Sequence, residues 1–200
     1  MKIVTNENLS DAALLIRKGG IVAFPTETVY GLGVRCDKEE CFDKLVKVKN
    51  RRPDQPFTVM CSNIHQLDEF LVIDTKTQKI IEKFMPGPIT LILRTKTKVP
   101  HYLDLGTNFV GVRIPKSKLV LDLIDLVGVP LLVPSANPTG EKPALNSLEV
   151  IKYFNEKLDC VVEGECKSNM PSTIIKIDDG KIELIRQGEI SLEDILEATK

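Results

Sequence analysis

The chain has 200 residues, of which 42% are hydrophobic and 28% charged, with a formal net charge of −1. This is the composition of an ordinary globular protein and excludes extended disorder or collagen-like order. The near-balance of charge excludes a protein that holds nucleic acid through a globally basic surface. No apolar run approaches the ~20 residues needed to span a bilayer. Met1-Lys2-Ile3-Val4-Thr5-Asn6-Glu7 lacks the basic, apolar and small-residue zones of a secretion signal. No membrane association and a cytoplasmic address are therefore expected. Cys36, Cys41, Cys61, Cys160 and Cys166 are odd in number and form no CxxC pair, and the only histidines are His65 and His101. Reduced, mostly buried thiols are expected, with no resident metal.

Over 8–18, Leu9, Ala12, Ala13 and Ile16 share one helical face and Gly19-Gly20 supplies the stop, which predicts an amphipathic helix. Ile21 to Phe24 is a continuous apolar run closed by Pro25, the pattern of a strand buried on both faces. A second helical stripe over 39–49 ends at Asn50 and Pro53, which puts Lys49 at a helix end and Arg51 in the following loop. A strand is predicted over 57–61. Asn63-Ile64-His65-Gln66 then has cap spacing for a helix through Leu71, and another helix near 77–85 stops at Pro86-Gly87-Pro88. Strands fit 89–94, 109–114 and 129–133, with a helix over 117–127 before the last of these. Asn146 and Glu149 have the spacing of a capping box for a further helix. Strands follow over 160–162, 172–177 and 181–186, the last two joined through Asp178-Asp179-Gly180 as a hairpin, and Ser191 opens a final helix. No linker or repeat divides the chain, so a single α/β domain over 1–200 with a mixed sheet is expected.

Three segments could carry chemistry. Lys44, Lys47, Lys49, Arg51 and Arg52 form the densest cationic run. It reads either as a solvated helix face or, at Lys49 and Arg51, as a clamp for phosphate oxygens at a helix-to-loop junction. Ser135-Ala136-Asn137 follows an apolar strand, at the strand end where open α/β sheets bind ligands, although turn chemistry alone also explains it. Pro25 to Gly33 also follows a strand but resembles neither GxGxxG nor a P-loop. A Ser-His-Asp set and a GxSxG elbow have no support, since neither histidine lies in a motif.

Pro25-Thr26-Glu27-Thr28-Val29-Tyr30-Gly31-Leu32-Gly33, Lys49-x-Arg51, Pro86-Gly87-Pro88-Ile89-Thr90-Leu91, Gly111-Val112-Arg113-Ile114-Pro115, Ser135-Ala136-Asn137, Ser172-Thr173 and Arg186-x-Gly188 occur in a fixed order. Together these blocks resemble the YrdC/Sua5 family of threonylcarbamoyl-AMP synthases over about Ala13 to Ile190. The chain ends where longer members continue, so it resembles the single-domain form. The resemblance implies a twisted mixed sheet flanked by helices around a large concave cavity. It also implies an enzyme that joins L-threonine, bicarbonate and ATP into threonylcarbamoyl-adenylate with release of pyrophosphate. The product would pass to a transferase complex that modifies tRNA, with at most weak direct contact with tRNA.

By the same resemblance, Lys49 and Arg51 would be catalytic and bind ATP phosphates, with Ser135, Asn137 and Arg186 completing the nucleotide side. Thr26, Arg113 and Ser172 would hold threonine, and Mg²⁺ would arrive on the triphosphate. The chain departs from the family pattern in three places. Phe57-Thr58-Val59-Met60-Cys61 lacks the histidine common in that strand, Phe109 stands where threonine is common, and Arg52 stands where proline is common. The Phe57 to Cys61 stretch is closer to the YciO branch, which leaves a YciO-like carbamoyl-adenylate role as an alternative. A non-catalytic tRNA- or double-stranded-RNA-binding module is the alternative from another class.

Overall fold

The computed structural model describes every residue except Pro53, Lys167 and Asn169, so the helix stop assigned to Pro53 lies outside the described residues. In chain order the elements are β1 (Lys2–Val4), α1 (Leu9–Arg17), β2 (Val22–Phe24), β3 (Gly31–Arg35), α2 (Glu39–Lys49), β4 (Val59–Met60), α3 (Thr75–Phe84), β5 (Ile89–Arg94), α4 (His101–Asp104), β6 (Phe109–Arg113), α5 (Lys118–Val127), β7 (Leu131–Leu132), α6 (Ser147–Phe154), β8 (Cys160–Val162), β9 (Thr173–Asp178), β10 (Lys181–Arg186) and α7 (Leu192–Ala198). Among the described residues the strands form one 10-stranded sheet in the order β1-β8-β2-β3-β7-β4-β6-β5-β9-β10. Pairs β1/β8, β2/β8, β4/β6 and β5/β9 are parallel and the others antiparallel, which gives the mixed α/β sheet expected from the sequence.

Apolar periodicity explains the layers. In α1 the buried residues are Leu9, Ala12, Ala13 and Ile16, the stripe read from the sequence, and they join Val120, Leu123 and Ile124 of α5 in one core cluster. The second cluster takes Phe42 and Leu45 of α2, Ile80 of α3 and Phe154 of α6. Strand β2 sends Val22 and Phe24 to the first cluster and Ala23 to the second, so its continuous apolar run does mark burial on both faces. At the end of α2, Asn50 adopts a left-handed backbone (φ 50°) while the Arg51 N–H returns to Val46 O at 3.0 Å, closing the helix directly after Lys49. In the β9–β10 hairpin, Asp179 (φ 50°) and Gly180 (φ 71°) are both left-handed, as a two-residue turn of matching twist requires.

Three differences from the sequence reading have physical causes. The 57–61 strand shrinks to Val59–Met60, and the 63–71 helix to a 3-10 turn over Ile64–Leu67. That turn is capped by Asn63 Oδ1, which accepts from His65 N at 3.0 Å, while Leu71 is drawn into a bridge with Thr95. Strand β3 is not legible in the sequence because two glycines depress its strand propensity. Both are required by close approach: a Cβ on Gly31 would lie 2.5 Å from Val133 Cγ1, and one on Gly33 would lie 2.4 Å from Phe24 Cε1.

Gly33→Ala should therefore overpack the buried Phe24 ring and lower stability by about 1–3 kcal/mol in urea unfolding. Gly111→Ala, whose Cβ would find its nearest neighbour at 3.7 Å, should be neutral or stabilising. Equal losses for both would contradict the close-approach account.

Candidate functional site

Side chains of alternate residues on four neighbouring strands form the floor of a cavity of about 490 Å³. Strand register sets them in rows. Ile174, Thr90 and Arg113 make one row, and Lys176, Ile92 and Gly111 the next. Phe109 lies beyond that row, opposite Arg94 on the neighbouring strand. The walls come from the loop after β2, the segment before β4, the loop after β7, and Arg186 of β10. Of the residues proposed from the sequence, Thr26, Arg51, Arg113, Ser135, Ser172 and Arg186 line this one cavity. Lys49 and Asn137 are not on its wall.

Four cations, Arg51, Arg113, Lys176 and Arg186, line the cavity, and no Asp or Glu is among its described lining residues. Burial lowers the pKa of Arg51 and of Arg186 from the ordinary guanidinium value, and the neighbouring charge of Arg113 adds to the effect on Arg186. Arg113 is 5% exposed, and its Nη2 meets Glu27 Oε1 at 2.8 Å and donates to Thr28 Oγ1 at 3.0 Å. Thr26 Oγ1 donates to Val29 O at 2.7 Å, so the 2.9 Å contact between the two threonine hydroxyls runs from Thr28 to Thr26. Glu27 Oε1 also accepts from Lys116 N at 2.8 Å. Sequence reasoning does not single out Glu27 as a site residue; its one signal is being the sole acid within the Pro25 to Gly33 block. Among the described residues, Arg113 Nε, Arg51 Nε and Glu27 Oε2 are buried without a hydrogen-bond partner.

On the β9 side, Thr90 Oγ1 and Ser172 Oγ are 2.9 Å apart. Arg186 forks onto the Ser172 carbonyl from Nε at 3.1 Å and Nη2 at 2.8 Å, and its Nη2 also reaches Ser172 Oγ at 3.2 Å. Arg186, expected on the nucleotide side, is thus built together with Ser172, expected on the threonine side. The two sets of residues meet here.

Lys49 and Arg51 separate, contrary to the expectation of a joint clamp. Arg51 reaches the wall, where its Nη2 donates to Pro56 O at 3.2 Å and its guanidinium lies 4.9 Å from the Phe57 ring centroid. Lys49 is 2% exposed and lies behind the loop, with Nζ donating to Ser135 O at 2.5 Å and Asn137 O at 2.7 Å. Its own carbonyl accepts from Thr139 N at 2.9 Å. Asn137 completes this loop by donating from Nδ2 to Glu141 O at 2.7 Å and accepting from Ser135 Oγ at 2.6 Å. The helix end faces inward here, so the side chain is captured by carbonyls before it reaches the cavity. Burial, with a smaller contribution from the charge of Arg51, lowers the Lys49 pKa from 10.5 to about 7.

No cysteine is among the described lining residues of the cavity. Cys41, Cys61 and Cys160 are buried and Cys36 and Cys166 half-buried, all free. Burial pushes Cys36 and Cys61 up to about 12 and Cys160 and Cys166 up to about 11, the protonated and unreactive condition. Two of the departures noted in the sequence, Met60 and Phe109, both face the cavity, whereas Arg52 pairs with Asp54 at the surface. Among the described residues no helix is long and apolar enough to cross a membrane.

A mixed sheet whose floor and loops enclose a cavity lined by four cations and no described carboxylate defines the class: an α/β protein with a cation-lined pocket. Comparison with known proteins makes the assignment specific: the chain belongs to the Sua5/YciO/YrdC family, whose model, described as "Telomere recombination", matches residues 14–188. It is 34% identical over 186 residues to the threonylcarbamoyl-AMP synthase of Pyrococcus abyssi, covering 92% of this chain and 55% of that protein. A Methanocaldococcus jannaschii protein provisionally given the same name is 33% identical over 181 residues, covering 90% of this chain and 85% of the relative. The crystal structure of P. abyssi Sua5 complexed with L-threonine superposes with a TM-score of 0.94 at 32% identity, covering 99% of this chain and 61% of that one. E. coli YciO superposes with a TM-score of 0.86 at 21% identity, covering 97% and 98%, which shows the fold alone. The chain thus spans little more than half the length of the P. abyssi protein that it matches.

The position of Lys49 has a consequence for stability. Its folded pKa of about 7 lies below the ordinary 10.5, so between these values the unfolded chain binds the extra proton and stability rises with pH. The unfolding free energy of the wild type minus that of Lys49→Met should increase from pH 7 towards pH 10.5 in urea titrations. A flat or falling difference would contradict the buried, weakly compensated ammonium.

Proposed function

We propose that this chain is a threonylcarbamoyl-AMP synthase that uses L-threonine, bicarbonate and ATP. One observation carries the reading: a cavity lined by four cations and no described carboxylate, in a chain whose fold matches a family member complexed with L-threonine. In the reaction, the threonine amine and bicarbonate give a carbamate and water. A carbamate oxygen then bonds to the α-phosphorus of ATP while the bond to the β-phosphate breaks, giving the mixed anhydride and pyrophosphate. No enzyme nucleophile is needed, which suits a site whose thiols are protonated and elsewhere. The demands are alignment of three anions and stabilisation of phosphate charge, both met by fixed cations.

Arg113 is the partner for the threonine carboxylate, since its guanidinium lines the cavity, suits a planar anion and is fixed in orientation by Glu27. Thr26 and Ser172 offer hydroxyls on either side of it. Arg51 and Arg186 face the nucleotide phosphates, and Ser135 presents the loop that Lys49 and Asn137 hold. Lys49 is therefore a positioning residue that shapes the nucleotide wall from behind. Mg²⁺ enters on the triphosphate, because the described wall provides hydroxyls and cations and no carboxylate. The adenylate is a reactive acyl donor, suited to transfer to the adenosine beside the tRNA anticodon by a separate transferase complex, and a cytoplasmic setting suits that role.

Pyrophosphate release should require ATP, L-threonine and bicarbonate together; release with any one of them omitted would overturn the reading. Arg51→Ala should slow turnover by roughly 10²–10³, the scale for one preorganised electrostatic contact. Lys47→Ala, an exposed member of the same charge run, should change the rate little. Arg113→Ala should weaken threonine binding by about 2–3 kcal/mol and ATP much less, and equal losses measured by calorimetry would contradict its assignment.

A further inference from the structure

We propose that Lys176 is a further phosphate-binding residue of this cavity, receiving the terminal phosphates of the nucleotide together with Arg51. The proposal rests on the reading of the cavity as an ATP site.

Three of the four lining cations are already engaged by the protein: Arg113 with Glu27, Arg186 with Ser172, and Arg51 with the Pro56 carbonyl. Lys176 makes no ion pair and no hydrogen bond from its ammonium among the described residues, yet it does not extend away into solvent. Its Nζ lies 3.9 Å from the centroid of the Phe109 ring. The guanidinium of Arg94 lies 5.1 Å from the same ring and is tied to Asp178 Oδ1 at 2.6 Å, which fixes the ring in turn. Register explains how the contact forms. Lys176 pairs with Ile92, and Ile92 with Gly111, the residue two positions along β6 from Phe109, so the floor beside the ring carries a glycine whose missing side chain leaves the lysine room to lean across. An ammonium held over a ring face keeps its charge and retains donors for a ligand.

Position selects the ligand. Lys176 lies one row from Ile174, Thr90 and Arg113, about 7 Å along the strands, and on the side of Phe109. Arg51 is on the same side: β4 runs parallel to β6 with Val59 opposite Val112, so the segment that enters β4, whose Pro56 carbonyl binds Arg51, approaches from the Phe109 end. Lys176 on the β9 side and Arg51 on the β4 side therefore flank the Phe109 end, away from the Glu27–Arg113 pair. Two cations on the Phe109 side of the cavity, with no carboxylate among its described lining residues, suit a diphosphate group and not a second amino-acid carboxylate.

The test is calorimetric titration of the full chain with inorganic pyrophosphate and, separately, with L-threonine. The variants are Lys176→Gln, Lys176→Arg, Phe109→Leu and, as an exposed control on β10, Lys181→Gln. Lys176→Gln should weaken pyrophosphate about 10-fold or more, the scale of one lost hydrogen bond to a charged group, and leave threonine unchanged. Lys176→Arg should retain most of the affinity, Phe109→Leu should fall between, and Lys181→Gln should match the wild type. Unchanged pyrophosphate affinity in Lys176→Gln overturns the proposal, as does a loss confined to threonine, and in both cases the synthase reading stands. A wild type that does not bind pyrophosphate overturns the proposal, and one that binds neither pyrophosphate nor L-threonine overturns the synthase reading with it.

Discussion

Positive charge gathered in a half-closed cavity, in a chain whose net charge is −1, is the constraint on which the rest of the site depends. Cations out of water are unfavourable unless each finds a partner, and like charges close together make matters worse. The protein compensates each one differently. Glu27 pairs with Arg113, the Ser172 carbonyl takes Arg186, aromatic rings lie against Arg51 and Lys176, and backbone carbonyls take Lys49. The compensation is incomplete, as the orphaned Nε atoms of Arg51 and Arg113 show. On the proposed synthase reading, anionic substrates would balance the charge that the scaffold leaves uncompensated, with the cations already in place as charge moves on the phosphates.

The sheet makes this arrangement possible. Its floor is a set of strands whose alternate residues point one way, so that register alone decides which side chains share a row. Gly31 and Gly33 let β3 lie against Val133 and Phe24, which sets the depth of the adjoining wall. Lys49 links the end of α2 to the loop after β7 through both its side chain and its carbonyl. One residue thereby ties two distant parts of the chain into a single wall.

Much of this arrangement is legible in the amino-acid sequence. Helix faces such as that of α1 and the two-faced strand β2 follow from local apolar spacing, and Thr26, Arg51, Arg113, Ser135, Ser172 and Arg186 meet in one cavity as the motif blocks imply. What stays hidden depends on contacts distant in sequence. The inward turn of Lys49 is set by carbonyls some ninety positions away, Glu27 becomes a partner only when β6 lies beside the β2 loop, and Lys176 becomes a cavity residue only through the β9–β5–β6 register. Strand β3 escapes a sequence reading for the opposite reason: local propensity counts against glycine, and packing demands it.

The central claim is that these cations bring threonine-derived carbamate and ATP together without a covalent enzyme intermediate. It is tested most directly by incubating the protein with carbon-labelled bicarbonate, L-threonine and ATP, and following the label by mass spectrometry. The account predicts that the labelled carbon appears in one small molecule containing both threonine and AMP, and that none becomes attached to the protein. Label retained on the chain, or AMP formed without labelled carbon in an adenylate, would contradict it.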